Sequence, residues 1–132
     1  MANTGVRSKR PISPHLQIYK PIPTMVMSIL HRITGSALYF GVLILVWWLV
    51  AAASGAASYD FANAILSSWF GKLLMFGFTW ALMFHMLGGI RHLVWDTGRL
   101  LEKHVSTMLA WATLIGSVVL TVLIWMIAIA AS

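Results

Sequence analysis

The sequence contains no cysteine, only three acidic residues and no proline after residue 23. The absence of cysteine excludes disulfide bonds, thiolate metal sites and a cysteine nucleophile. Charged residues make up 9% of the 132 residues, and apolar residues make up 60%. In a typical soluble domain, about 25% of the residues are charged and about 45–50% are apolar. This composition cannot provide a water-solvated surface, and a disordered chain would be poorer in apolar residues. The chain is therefore predicted to be a small integral membrane protein with one domain.

Three apolar runs are long enough to cross a bilayer, which takes about 20 helical residues. They cover about residues 25–53, 69–95 and 105–131. The predicted fold class is all-α, with three transmembrane helices in a membrane domain of residues 25–132. The small and polar residues 54–68 are predicted to form a loop, with or without a short interfacial helix.

The N-terminal segment, residues 1–24, is basic and contains all four prolines. Proline at this density prevents a continuous helix and favours an extended segment, here predicted to lie on the cytoplasmic surface. A cleavable signal peptide is not expected, because no apolar stretch occurs within the first twenty residues. The prolines also argue against an amphipathic transit peptide.

The basic residues flank the apolar runs, and this distribution predicts the orientation of the chain. Nine basic residues against three acidic ones give a net charge of +6. With three spans, the N-terminal segment and the second connection lie on the same side. The positive-inside rule therefore predicts an inside N-terminus and an outside C-terminus. It also explains the basic character without nucleic-acid binding. Lys72 is predicted to lie on the outside. The other eight basic residues are predicted to lie on the inside: Arg7, Lys9, Arg10, Lys20, Arg32, Arg91, Arg99 and Lys103.

The first span contains ionisable and hydroxyl groups near its inner end, which in a membrane helix suggest function. Ser28 and Arg32 are four residues apart and share a helix face, with His31 on a neighbouring face. A hydroxyl beside a guanidinium suits a carbonyl oxygen or an anion. Alternatively, the arginine extends to lipid phosphates and the serine bonds its own backbone.

The second span contains His85 deep in the apolar run and His92 seven residues later. A single buried histidine is more often a packing residue than a metal ligand, and both readings stay open. Seven helical residues rise about 10.5 Å, whereas two trans axial nitrogens lie about 4 Å apart. The two histidines therefore cannot ligate one haem iron. Gly88 and Gly89 between them would admit either a neighbouring helix or a flat macrocycle.

Arg91, His92 and Asp96 lie at the inner end of the second span. Arg91 and His92 could pair with acidic groups such as propionates, or anchor the helix among lipid headgroups. The sequence has no Walker loop, zinc-binding spacing or nucleophile elbow. A small channel or transporter component is disfavoured, because the third span has no charged residue.

Three segments in order resemble one known family. They are residues 10–19 (RPISPHLQIY), 28–35 (SILHRITG) and 85–96 (HMLGGIRHLVWD). Together they are similar to the cytochrome b membrane-anchor subunits of succinate dehydrogenase, respiratory complex II, over about residues 10–99. The form of the first segment is closer to the alphaproteobacterial and mitochondrial branch of that family than to the enterobacterial one.

The resemblance implies a role in a larger complex. Two anchor subunits of three helices each would hold one haem b between them and carry an iron–sulfur and a flavoprotein subunit. His85 corresponds to one axial ligand of the haem iron, and the partner anchor supplies the other, in agreement with the helical rise. The location would be the bacterial inner (cytoplasmic) membrane, with the mitochondrial inner membrane less favoured.

The resemblance also implies a quinone site. Ser28 and Arg32 match residues that line the ubiquinone site, and His31, Arg32 and His92 match residues near the haem propionates. Electrons from succinate would reach ubiquinone through flavin and iron–sulfur clusters, while this chain itself holds no succinate site. Arg32 would keep its positive charge beside the reduced quinone. The alternative is a structural membrane anchor of the same type without haem.

Overall fold

The structure, a computed structural model, describes residues 19–131. These residues form four helices and no strand: α1 (Pro23–Ala53), α2 (Ala56–Ser67), α3 (Trp69–Asp96) and α4 (Lys103–Ala130). α1, α3 and α4 are long and apolar enough to cross a membrane, with mean hydropathies of 2.1, 1.6 and 2.4. The predicted fold class and its three spans are confirmed. Most of the predicted extended segment, residues 1–18, lies outside the described residues.

Local chemistry explains where the helices begin and end. Pro23 occupies the first turn of α1, where its missing N–H is not needed. Gly55 separates α1 from α2 with a φ of 111°, which a residue with a Cβ rarely adopts. The Ser68 hydroxyl caps α3 by accepting the backbone N–H of Gly71 at 3.1 Å.

The region between the first two spans contains the short helix α2. Its 12 residues extend about 18 Å, too short to cross a bilayer. The Trp48 indole N–H of α1 donates to the Asn63 side-chain oxygen of α2 at 3.2 Å, and Ala62 is fully buried. The structure thus decides between the two predicted alternatives in favour of a short helix.

α4 packs on its neighbours through small side chains. Ala110, Thr113, Ser117 and Thr121 are all buried, although three of them are polar. Their hydroxyls donate to carbonyl oxygens one turn earlier in the same helix, at 2.7–2.8 Å. The stripe therefore leaves no hydroxyl unsatisfied and lets the helix backbones approach closely.

One residue from each span forms the buried core. Met27 of α1, Phe84 of α3 and Ala110 of α4 are in contact, and all are at most 3% exposed. α1 and α3 run antiparallel, since Gly35 packs on His85 and Gly88 packs on His31. The polar residues of α1 that follow Met27 therefore lie beside residues 85–92 of α3.

Candidate functional site

Three imidazoles from two helices converge at this junction. The rings of His31 in α1 and His85 in α3 are stacked, with centroids 4.0 Å apart and planes within 6°. His92, two turns further along α3, lies 5.4 Å from His31 and is exposed. The structure thus brings histidines of the first and second spans together.

A hydrogen bond fixes the orientation of the His85 ring. Its Nδ1 lies 3.2 Å from the backbone carbonyl oxygen of His31. Because a carbonyl can only accept, Nδ1 carries the hydrogen and donates it. The neutral ring then has an unprotonated Nε2, which makes no hydrogen bond to any described residue. A histidine that ligates a metal through one ring nitrogen usually donates a hydrogen bond from the other nitrogen, often to a carbonyl oxygen.

Thr34 contributes to the same carbonyl and was not singled out from the sequence. Its hydroxyl lies 2.9 Å from the Leu30 carbonyl oxygen and 3.0 Å from that of His31, and the residue is 3% exposed. The hydroxyl therefore approaches the acceptor that orients His85. Its position three residues after His31 was the available signal, since threonine in a membrane helix commonly bonds back to the preceding turn.

Two glycines provide the space in which the imidazoles stack. A Cβ on Gly35 would lie 3.0 Å from His85 Cε1, and a Cβ on Gly88 would lie 2.5 Å from His31 Nδ1. Each histidine thus packs against a glycine of the opposite helix. The close approach predicted for Gly88 is observed, and the neighbour is a side chain of α1. Gly35 was part of a recognised segment, but no role had been assigned to it.

Replacing Gly88 with alanine should displace His31 and lower stability by about 1–3 kcal/mol, the usual cost of overpacking. Gly77 of the same helix is the matched control, because a Cβ there would meet nothing within 4 Å. Gly77→Ala should leave stability unchanged or raise it by up to about 1 kcal/mol through helix propensity. Thermal unfolding of the purified complex measures both. Equal shifts for the two variants would contradict this account.

The face of α3 that carries His85 is open beside Gly89. His85, Gly89 and His92 share one side of the helix, and a Cβ on Gly89 would meet no atom within 4 Å. A half-buried imidazole next to a flat glycine surface fits one axial ligand of a haem that packs against this face. Among the described residues, no three side chains form a metal-binding group.

Ser28 and Arg32 lie on α1 on either side of His31. Ser28 is half-buried and Arg32 is exposed. Neither side chain bonds to another residue within the described range, so the backbone-bonded alternative for Ser28 is not observed. Both groups are free to meet a ligand from outside the chain.

Arg91 differs from the exposed interface residue that its position suggested. It is only 5% exposed, and its guanidinium carbon lies 5.0 Å from the ring centroid of Trp95. Its Nε and Nη1 are buried without a hydrogen-bond partner. The His92 ring also meets Trp95 edge-on, with ring centroids 5.2 Å apart.

Comparisons with known proteins identify the family of this chain. The profile of a family described as succinate dehydrogenase/fumarate reductase transmembrane subunit matches residues 6–124. The succinate dehydrogenase cytochrome b556 subunit of Paracoccus denitrificans is 43% identical over 117 residues, covering 89% of this chain and 90% of the relative. The corresponding subunit of Rickettsia conorii is 40% identical over 120 residues, covering 91% of this chain and 94% of the relative. The mitochondrial succinate dehydrogenase cytochrome b560 subunit of Sus scrofa is 39% identical over 101 residues, covering 74% of this chain and 59% of the relative.

Proposed function

Because the chain belongs to the family of succinate dehydrogenase/fumarate reductase transmembrane subunits, we propose that it binds haem b and forms part of a ubiquinone-reduction site. The relatives are succinate dehydrogenase cytochrome b subunits, and the three apolar spans make this chain a membrane protein. Its role as a membrane anchor follows. The haem, the quinone and the residues that hold them are the proposed part.

The arrangement of His85 carries the haem proposal. Its Nδ1 donates to a backbone carbonyl and its Nε2 is free, on a helix face where Gly89 leaves room for a flat ring. His85 would hold haem b from this chain, together with a histidine of a second anchor subunit. The bound haem would supply one-electron transfer.

Three side chains near His85 would hold the charged edge of the macrocycle. His31 stacks on His85, while His92 and Arg32 are exposed near the end of α3 and the start of α1, respectively. Imidazole and guanidinium groups donate hydrogen bonds to carboxylates such as propionates. Their inward position would keep these carboxylates near water while the ring lies in the apolar region.

Ser28 and Arg32 would bind the quinone. Ubiquinone gains negative charge on its oxygens before protons arrive, and a hydroxyl with a guanidinium stabilises that charge in a low-dielectric site. A guanidinium group is a permanent cation in proteins, so the stabilisation would persist throughout reduction. Both side chains are unpaired in the described chain, which leaves their donors available for this task.

The proposed assembly contains this chain, a second anchor, an iron–sulfur subunit and a flavoprotein subunit. Succinate would be oxidised in the flavoprotein, so this chain would be part of the enzyme without a succinate site. We place the N-terminus and the flanking basic residues on the cytoplasmic side of a bacterial inner membrane. The docked subunits would then meet the end of the domain that carries the histidine cluster.

Purification of the tagged chain in mild detergent tests the proposal. The chain should copurify with three partners, and the complex should give a reduced-minus-oxidised spectrum of b-type haem with one haem per copy. Copurification without a haem spectrum would favour the alternative, a haem-free structural anchor. Isolation of the chain with no flavoprotein would contradict the assembly itself.

A further inference from the structure

A second charged site lies between α3 and α4, away from the histidine cluster. Arg91 lines a cavity of about 180 Å³ with Leu87, Ile90, Leu109 and Ala112. Arg91 is only 5% exposed, and its Nε and Nη1 atoms have no hydrogen-bond partner. A buried cation without a counter-charge is strongly destabilising. An anionic group at this site would offset that cost.

No residue in the described part of the chain supplies that group. The whole sequence has three acidic side chains, Asp60, Asp96 and Glu102, and none lies in residues 1–18. Asp60 belongs to α2, near the opposite end of the spans. Asp96 and Glu102 are exposed, and neither forms an ion pair with Arg91 in the described part of the chain. An anion that pairs with Arg91 would therefore come from outside the described residues.

The surroundings of Arg91 favour an amphipathic occupant. Apart from Arg91 and Thr113, every residue that lines the cavity is apolar. α3 has 28 residues and is about 42 Å long, close to a full bilayer with its headgroups. Arg91 lies five residues, about 7.5 Å, from the end of α3. This is the depth at which the hydrocarbon meets the phosphates, and Trp95 beside it is typical of that level.

The site is also separate from the proposed haem face. Arg91 is six residues after His85, which places it about 120° away around α3, on the side that packs against α4. We propose that this cavity binds an anionic phospholipid: its phosphate pairs with the Arg91 guanidinium, and part of one acyl chain lies along Leu87, Leu109 and Ala112. The lipid neutralises a charge that the chain leaves unpaired.

Native mass spectrometry of the delipidated complex tests this site with palmitoyl-oleoyl phosphatidylglycerol and the matching phosphatidylcholine. The wild-type complex should bind one phosphatidylglycerol about tenfold more tightly than phosphatidylcholine, as expected for a charge-assisted pair. Arg91→Gln should abolish this preference. Arg99→Gln is the matched control, because Arg99 is an exposed arginine near the same end of the spans, and it should leave the preference unchanged.

The other outcomes would overturn the proposal. Equal losses in both variants would indicate general surface charge, and no loss in either would mean that Arg91 holds no lipid. Displacement of phosphatidylglycerol by inorganic phosphate alone would indicate a phosphate site. Loss of haem in Arg91→Gln with lipid binding intact would assign Arg91 to the cofactor.

A measurement on the wild-type complex keeps the test decisive if Arg91→Gln does not assemble. Phosphatidylglycerol with a photoreactive acyl chain should crosslink to peptides containing Leu87 or Leu109. Crosslinks confined to other parts of the complex would contradict the proposed position of the lipid.

Discussion

Replacing His85 with alanine is expected to abolish the haem b absorption of the complex. His85 is the only imidazole in the described chain whose Nδ1 donates to a backbone carbonyl while its Nε2 stays free. Alanine has no lone pair to offer the iron, and one axial histidine from the partner would remain. The reduced-minus-oxidised spectrum, normalised to flavin content, measures the loss independently of the amount of complex assembled.

His104→Ala is the matched control for this experiment. His104 is an exposed histidine in the first turn of α4, and its removal should leave the spectrum unchanged. A normal spectrum in His85→Ala would contradict the ligand assignment. Loss of both flavin and haem from the membrane would instead show that His85 is needed for assembly.

The second large effect is expected at Arg32. Arg32→Gln should lower the rate of ubiquinone reduction by about 10²-fold, the usual cost of removing one donor that stabilises developing negative charge. Oxidation of succinate by an artificial acceptor should be preserved, because those electrons leave before the quinone site. The ratio of the two activities in the same preparation measures the effect without interference from yield.

Two variants make this result interpretable. Arg99→Gln removes an exposed arginine from the second connection and should change neither activity. Arg32→Lys keeps the positive charge but loses the planar donor pair, so it should recover part of the quinone activity. Equal loss of both activities in Arg32→Gln would point to damaged assembly and contradict a role in quinone reduction.

Much of the fold could be predicted because the bilayer imposes simple rules on sequence. Apolar runs of sufficient length must become helices, since hydrocarbon offers no partner for backbone groups. The predicted spans differ from α1, α3 and α4 by at most two residues at each end. The helix α2 could only be left open, because its 12 residues are too short for a strong periodic signal and depend on contacts such as that of Trp48 with Asn63.

The site was partly predictable for a different reason. Topology alone brought His31 and His85 to the same side of the membrane, but their stacking depends on the absence of a Cβ at Gly35 and Gly88. Such three-dimensional complementarity has no periodic signature. The burial of Arg91 could not be inferred either, because an arginine four to six residues from a helix end usually reaches the headgroups. Its actual position depends on how α4 packs against α3.

The carbonyl of His31 has a consequence for communication between the two proposed ligands. It belongs to the same turn of α1 as Ser28 and Arg32, and it accepts the hydrogen bond that orients His85. A small tilt or rotation of this turn when ubiquinone enters or leaves would therefore be transmitted directly to the ring of His85, the proposed iron ligand. Quinone occupancy and the electronic state of the haem would be mechanically linked through a single backbone atom.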